Sequence, residues 1–470
     1  MTALPLTIRN LSSTPLELKQ IERYEPQAST RGLGHITKNF ANFTINSTKQ
    51  LETPVAENVK SFELREVSVR VDPFKIQSTD IKAFEHSQQE VLCLTFESEG
   101  QEYTIHTSSP ENASQTLTPI TPNPKLQFTA VFLPEDAYLT VYSSANLNSW
   151  MQHLKDETPL SALSVPGTHN SPTCHRALPS VRCQAVSPKV QLANGVRFFD
   201  IRVQPEAPHS ADLVLVHGVF PISLTGPKYF RDLITDAYTF LDQNPSETLI
   251  MSIKREGTGT LTDQQLSRIL FDHYTNGTDA PRWYSDPNIP TLGQARGKVV
   301  LMRRFAVDDA LRGEHDGRGW GIDAQSWTDN TPHDVHGDVC VQDFYEVMEA
   351  VNIDKKIDYC EAQLERAGAC VCQLPGITTD KVNPVPPQPF YLNFLSASNF
   401  WKKECWPEKI ARRLNPVMVR WLCMKHHLED EGDGGTGIVV CDWVGADGNW
   451  DLVRCIVGMN SKLMVREMAL

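Results

Sequence analysis

Nowhere do the 470 residues contain a run approaching the roughly 20 consecutive apolar residues that a membrane-spanning helix needs. Met1 to Asn10 lack the basic-then-apolar order of a signal peptide, so a cytoplasmic location is expected, with non-classical export left open. Positive charge is in deficit. The formal net charge is −13, and acidic side chains outnumber basic ones both before and after residue 145, which argues against a nucleic-acid partner. Long-range attraction to an anionic lipid is missing for the same reason, so docking on such a surface would depend on a local patch. No Cys-x-x-Cys pair occurs, and the eleven cysteines are an odd number, which reads as reduced thiols. Cys370 and Cys372 lie close together without further ligands at metal-binding spacing, so no metal is expected there. The sequons at Asn10, Asn42, Asn46, Asn112 and Asn276 matter only in an exported chain.

What is present is a globular composition, 40% hydrophobic and 21% charged. The length exceeds the roughly 250 to 300 residues that one core spans, so two domains are expected. From Leu6 to Ser144, short β-rich runs such as Leu16 to Ile21, Val91 to Phe96 and Tyr138 to Tyr142 are separated by turn-forming clusters. This predicts an antiparallel β-sandwich-like domain over residues 1–145, of unknown role. From about Ser149, buried-type strands alternate with helical stretches such as Lys228 to Asn244, the pattern of an α/β protein. A (β/α) TIM-type barrel over residues 149–470 fits best, with strands ending near Val165, Val203, Val216, Ile253, Met302, Val341, Phe394 and Val440.

Chemistry gathers where those strands end. His169 and His217 each follow a short apolar run, and Asp200 and Arg202 lie between them in Val-Arg-Phe-Phe-Asp-Ile-Arg-Val. Two imidazoles can act as base and acid in phosphoryl transfer, with an arginine between them holding the phosphate. Lys254, Arg303-Arg304, Asp343, Tyr345, Ser396 and Asp442 follow or end the later strands. In such barrels catalytic groups project from the C-terminal strand ends, so these distant residues converge on one mouth.

Seven segments, in order, resemble the phosphatidylinositol-specific phospholipases C with an X-type catalytic domain, most closely the metal-independent bacterial branch. They are Ser164-Val-Pro-Gly-Thr-His-Asn-Ser171, Gly195 to Arg202, Val216-His-Gly218, Asn244 to Lys254, Arg296 to Arg304, Val341-Gln-Asp-Phe-Tyr345, and Asp442 in Val-Val-Cys-Asp-Trp-Val. No resemblance is found up to about residue 145. The resemblance implies that His169 is the general base, oriented by Asp442, and that His217 is the general acid. Arg202 would hold the phosphate in place of calcium, with Asp200 orienting Arg202 or the histidines. It further implies that Lys254, Arg304 and Asp343 bind inositol hydroxyls and that Tyr345 stacks beneath the ring. Arg304 is preferred over Arg303 because alternation sends the two to opposite faces of a strand.

A guanidinium at residue 202 would repel a hard cation, so neither calcium nor an organic cofactor is expected. One departure stands out: Asn170 occupies the position where the bacterial branch often has an aspartate supporting the general acid. A neutral amide cannot raise the pKa of His217 as a carboxylate would, so the acid step is expected to be weaker unless another carboxylate substitutes. The expected partners are phosphatidylinositol or a related inositol lipid and the surface of a membrane.

Each assignment has a plainer reading. His169 could cap a loop, Arg202 and Asp200 could form a structural ion pair, and Lys254 to Glu256 could be a solvated strand end. Asp442 could cap a turn and Tyr345 could be a packed aromatic, while other histidines such as His35, His86 and His315 are read as surface or core. All the plainer readings together would have to hold at the same end of eight strands, which favours the catalytic one. The rival functions are a metal-dependent barrel phosphodiesterase acting on glycerophosphodiesters or sphingomyelin, and an inositol-lipid binder without turnover.

Overall fold

The computed structural model describes residues 4–24, 61–83, 90–107, 113–349, 351–383, 385–428 and 431–468. His35, His86 and the sequons at Asn42, Asn46 and Asn112 lie outside them. The chain divides into two compact units, one of residues 1–10 and 14–141, the other of residues 11–13 and 142–470.

The described part of the first unit forms two five-stranded sheets. One runs in the order Ile76–Lys82, Pro5–Leu11, Tyr138–Ser143, Phe128–Leu133, Ser114–Thr116, and the other in the order Ser61–Val71, Leu16–Tyr24, Val91–Ser98, Gln101–His106, Thr118–Pro119. Alternating side chains of both sheets, among them Leu6, Ile8, Leu18, Leu94, Phe96, Phe128 and Leu139, meet in a single apolar cluster.

The second unit is α/β. Its sheet contains β1 (Val165–Thr168), β2 (Phe198–Pro205), β3 (Leu213–His217), β4 (Leu249–Arg255), β5 (Val299–Arg304), β6 (Ile322–Asp323), β7 (Val339–Gln342), β8 (Phe390–Phe394) and β9 (Ile438–Cys441). The parallel order is β6-β5-β4-β2-β1-β9-β8-β7. Most are covered on both faces and so read as unbroken apolar runs. Between them, helices such as Phe230–Gln243 bury Phe230, Leu233, Ile234, Ala237, Phe240 and Leu241 at helical spacing.

The expected strand set needs one correction. The segment ending at His217 is not a parallel barrel strand: β3 runs antiparallel to the far end of β2, pairing Val203 with Leu215, and turns back through Phe220–Pro221. The eighth parallel position is taken by β6, only two residues long, beside Met302 and Arg303. Among the described residues no ladder joins β6 to β7, so the sheet curves as a barrel wall with a seam on that side.

Candidate active site

Strand register builds the charged floor of the site. Parallel pairing sets Arg202 of β2 opposite Lys254 of β4, and Lys254 opposite Arg304 of β5, so three cations stand in one row across neighbouring strands. Such a row repels itself unless carboxylates intervene. Asp200, two residues before Arg202 and therefore on the same face, takes Nε and Nη2 of Arg202 on its two oxygens, both at 2.9 Å. Its Oδ1 also lies 3.7 Å from Arg304 Nη1. Glu256 binds Arg202 Nη1, accepts Lys254 Nζ at 3.2 Å, and accepts the Gly218 N–H at 2.8 Å.

Burial alone would push both carboxyls up, but the cations prevail. Arg202 and Arg304 hold Asp200 well below the usual carboxylate range, and Arg202 and Lys254 bring Glu256 down to about 2. Glu256 therefore belongs to the site, contrary to the reading of residues 254–256 as a solvated strand end. The sequence offered no signal beyond its position after Lys254.

Arg197, fully buried, and Arg202, partly buried, are separated by a count of donors. A guanidinium carries five N–H groups. Arg197 commits its nitrogens to Glu247 and to the carbonyls of Leu192, Val196, Leu147 and Asn148, which saturates it as a structural residue. Arg202 makes three bonds and keeps one N–H on each terminal nitrogen.

Arg304 lies over Trp327, its Cζ 3.9 Å from the ring centroid, and its buried Nη1 has no hydrogen-bond partner. Burial and the charge of Arg202 both lower its pKa. The next residue back, Arg303, points the other way, to the Trp320 carbonyl and Asp323. Trp327, not singled out by sequence, also donates its indole N–H to Asp343 at 3.3 Å, which ties that carboxylate into the cluster.

The imidazoles stand above this floor. Parallel pairing of β1 with β9 brings residue 169 beside residue 442, and His169 Nδ1 lies 2.9 Å from Asp442 Oδ1. With Asp442 as acceptor, His169 carries its proton on Nδ1 and turns Nε2 to the Asn170 amide nitrogen at 3.0 Å. Asn170 has φ +42°, in the left-handed region that asparagine tolerates, and its backbone N–H donates to Asp200 at 3.1 Å. The ring of His217 meets that of His169 edge-on, with centroids 5.8 Å apart, and its Nδ1 lies 2.8 Å from the Val181 carbonyl.

Asn170 thus contacts the first histidine, not the second. Beside His217 stands the thiol of Cys183, 3.7 Å from Nδ1, a neighbour that no spacing rule in the sequence indicated. Burial pushes both imidazoles down. For His169 the charges of Asp442 and Cys183 outweigh it and hold the pKa well above the ordinary value; for His217 Cys183 does so, against the repulsion of His169.

The structure therefore joins His169, Asp442, Asn170, Asp200, Arg202 and Arg304 through direct contacts, Lys254 through Glu256, and Asp343 through Trp327. His217 joins by its ring contact. Tyr345 stands apart from the charged row: its hydroxyl donates to Asp329 at 3.0 Å and its backbone N–H to Asn330.

Residues 157–305 match the family described as phosphatidylinositol-specific phospholipase C, X domain. A curated relative, the 1-phosphatidylinositol phosphodiesterase of Staphylococcus aureus (strain Newman), is 26% identical over 343 residues, covering 69% of this chain and 98% of the relative. The protein of the same description from Listeria monocytogenes is 31% identical over 172 residues, 34% of this chain and 50% of its own length. A crystal structure of the phosphatidylinositol-specific phospholipase C of S. aureus aligns over 67% of this chain and 97% of its own, with TM-score 0.51 and 23% identity. A second S. aureus structure, concerned with modulation of that enzyme's membrane binding, gives TM-score 0.52 at 24% identity.

Proposed function

We propose that this chain, which belongs to the phosphatidylinositol-specific phospholipase C family through its X domain at residues 157–305, cleaves phosphatidylinositol to diacylglycerol and inositol 1,2-cyclic phosphate. The observation that carries the reading is the edge-on imidazole pair above a guanidinium with two uncommitted N–H groups. His169 takes the proton of the inositol 2-hydroxyl on Nε2, while Asp442 holds the tautomer and stabilises the imidazolium that forms. The freed oxygen attacks phosphorus in line. His217 protonates the departing diacylglycerol oxygen, and the two free N–H groups of Arg202 bind the non-bridging phosphate oxygens as their charge grows. Water then opens the cyclic product in a slower step.

Asp200 and Glu256 fix the guanidinium before substrate arrives, and Glu256, bound to Gly218 N–H, fixes the strand end that carries His217 in the same stroke. The Nη1 of Arg304, which makes no hydrogen bond, suits the hydroxyls of a polyol ring together with Lys254 and Asp343. Tyr345, whose hydroxyl is held by Asp329, is assigned to stack beneath that ring. The positive charge of Arg202 supplies what a hard cation would, so turnover is assigned without calcium.

The chain is expected to work at a lipid surface, and no helix among the described residues is long and apolar enough to cross one. Loops following β3, β7 and β8 expose Val219, Met348, Phe400 and Trp401, the last 88% exposed. Phe220 stacks on Phe400, and Phe400 packs against Trp401. This apolar rim at the mouth of the barrel unit is assigned to docking. The first unit we read as a β-sandwich-like domain at residues 1–145, and nothing in its chemistry favours it over the rim for that role.

The test is purified protein with phosphatidylinositol vesicles in excess chelator. Cyclic inositol phosphate is expected, with His169→Ala slowed by about 10² to 10⁴-fold. Activity abolished by the chelator would favour a metal-dependent phosphodiesterase, and lipid binding with no product would favour a binder without turnover.

A further inference from the structure

We propose that His169, Cys183 and His217 form a binding site for a soft divalent metal ion, zinc above all, and that the ion inhibits the chain by occupying its acid–base pair. One ligand atom from each of the three residues lies within 4.8 Å of the other two. In a tetrahedral zinc site, bonds of roughly 2.0 to 2.3 Å place ligand atoms about 3.3 to 3.8 Å apart, so a closure of about one ångström completes the set. Two imidazoles and a thiolate with the fourth position open are a donor set that zinc accepts and that calcium or magnesium, which prefer oxygen, does not.

The surroundings match what such a site requires. Zinc-binding histidines hold their second nitrogen to a carboxylate or a backbone carbonyl. Here Asp442 holds His169 Nδ1 and the Val181 carbonyl holds His217 Nδ1, and an ion bound to His169 Nε2 would displace the Asn170 amide that lies 3.0 Å from it. Cys183 is fully buried and its backbone is pinned, its N–H donating to the Thr173 hydroxyl at 3.1 Å and its carbonyl accepting the Trp443 N–H at 2.8 Å. The two residues that contact the His169 ring each carry a buried oxygen without a hydrogen-bond partner, Asp442 Oδ2 and Asn170 Oδ1. Two orphan acceptors on the partners of one imidazole are an environment that a cation relieves.

The site stands on this geometry alone, whereas inhibition rests on the acid–base roles proposed above. The intact chain is dialysed against zinc, and bound metal is measured by competition with a chromophoric chelator. One ion per chain is expected. Loss of an outer partner already costs roughly 10 to 100-fold in affinity, so Cys183→Ala and His217→Ala are each expected to bind at least about 100-fold more weakly. Cobalt(II) in the unmutated chain should give a thiolate-to-metal charge-transfer band, which keeps the test decisive if a variant fails to fold.

Zinc should also slow phosphatidylinositol cleavage by the wild type, and inhibition of Cys183→Ala, measured against its own rate in chelator, should require at least about 100-fold more zinc. A wild type that retains no zinc, a Cys183→Ala that retains it as tightly, or a cobalt complex without a thiolate band would overturn the site. Zinc bound with the rate unchanged would uphold the site and overturn the catalytic roles of the two histidines.

Discussion

Asp442 reaches His169 from 273 positions away in the chain, and the 2.9 Å contact sets both the tautomer and the proton affinity of the proposed base. The sign of the resulting pH dependence can be worked out. A carboxylate stabilises the imidazolium, so it raises the pKa of His169, and the base is available only above that raised value. The acid-side limb of kcat/KM for the wild type should accordingly lie above the usual imidazole value of about 6.5. Asp442→Asn removes the charge and should move that limb to lower pH, while also reducing kcat by at least about 100-fold because the tautomer is no longer held. A pH-rate profile of the two proteins checks this, and an unmoved limb would give the proton affinity of His169 to some other neighbour.

At the scale of elements, the site is a product of register. Most parallel strands were legible as apolar runs because burial on both faces leaves few other residue types possible, as in Leu249-Ile-Met-Ser-Ile and Val299-Val-Leu-Met. What such a run does not encode is direction: Leu213-Val-Leu-Val looks the same whether it lies parallel in the wall or antiparallel as a hairpin, which is why β3 was misplaced. β6, two residues long, offers no periodicity to read. Residues at strand ends, such as His169, Arg202 and Arg304, were accessible from sequence for the same reason the strands were. Cys183, Glu256 and Trp327 were not, because they come from irregular segments whose path no repeat describes.

One glycine shows how register is enforced. Gly437 enters β9 at φ +63°, and a Cβ there would lie 2.6 Å from the Tyr391 carbonyl oxygen. Its own carbonyl accepts the Val165 N–H at 2.9 Å. Gly437→Ala should therefore cost about 1 to 3 kcal/mol in urea unfolding. It should also lower activity, because β9 delivers Asp442. Unfolding midpoints that coincide would show that the strand accommodates the side chain.

For the whole molecule, a net charge of −13 supplies no long-range pull toward an anionic lipid surface, so the proposed docking is expected to rest on apolar burial at the rim. Vesicle binding should change little between low and moderate salt. Trp401→Ala should weaken it by about tenfold or more, given the roughly 1.5 to 3 kcal/mol that a large apolar side chain contributes on leaving water. Sedimentation of the protein with vesicles measures both. Binding that collapses with salt would point instead to a basic patch.

Arg197, fully buried, and Arg202, partly buried, sit five residues apart on one segment, yet one has all its hydrogens spoken for and the other has two left over. The fold satisfies the first by itself and leaves the second with donors that the proposed phosphate would take up. On the proposed reading the last two bonds of that guanidinium come from the guest, so ordering of the side chain and binding of the substrate are one event.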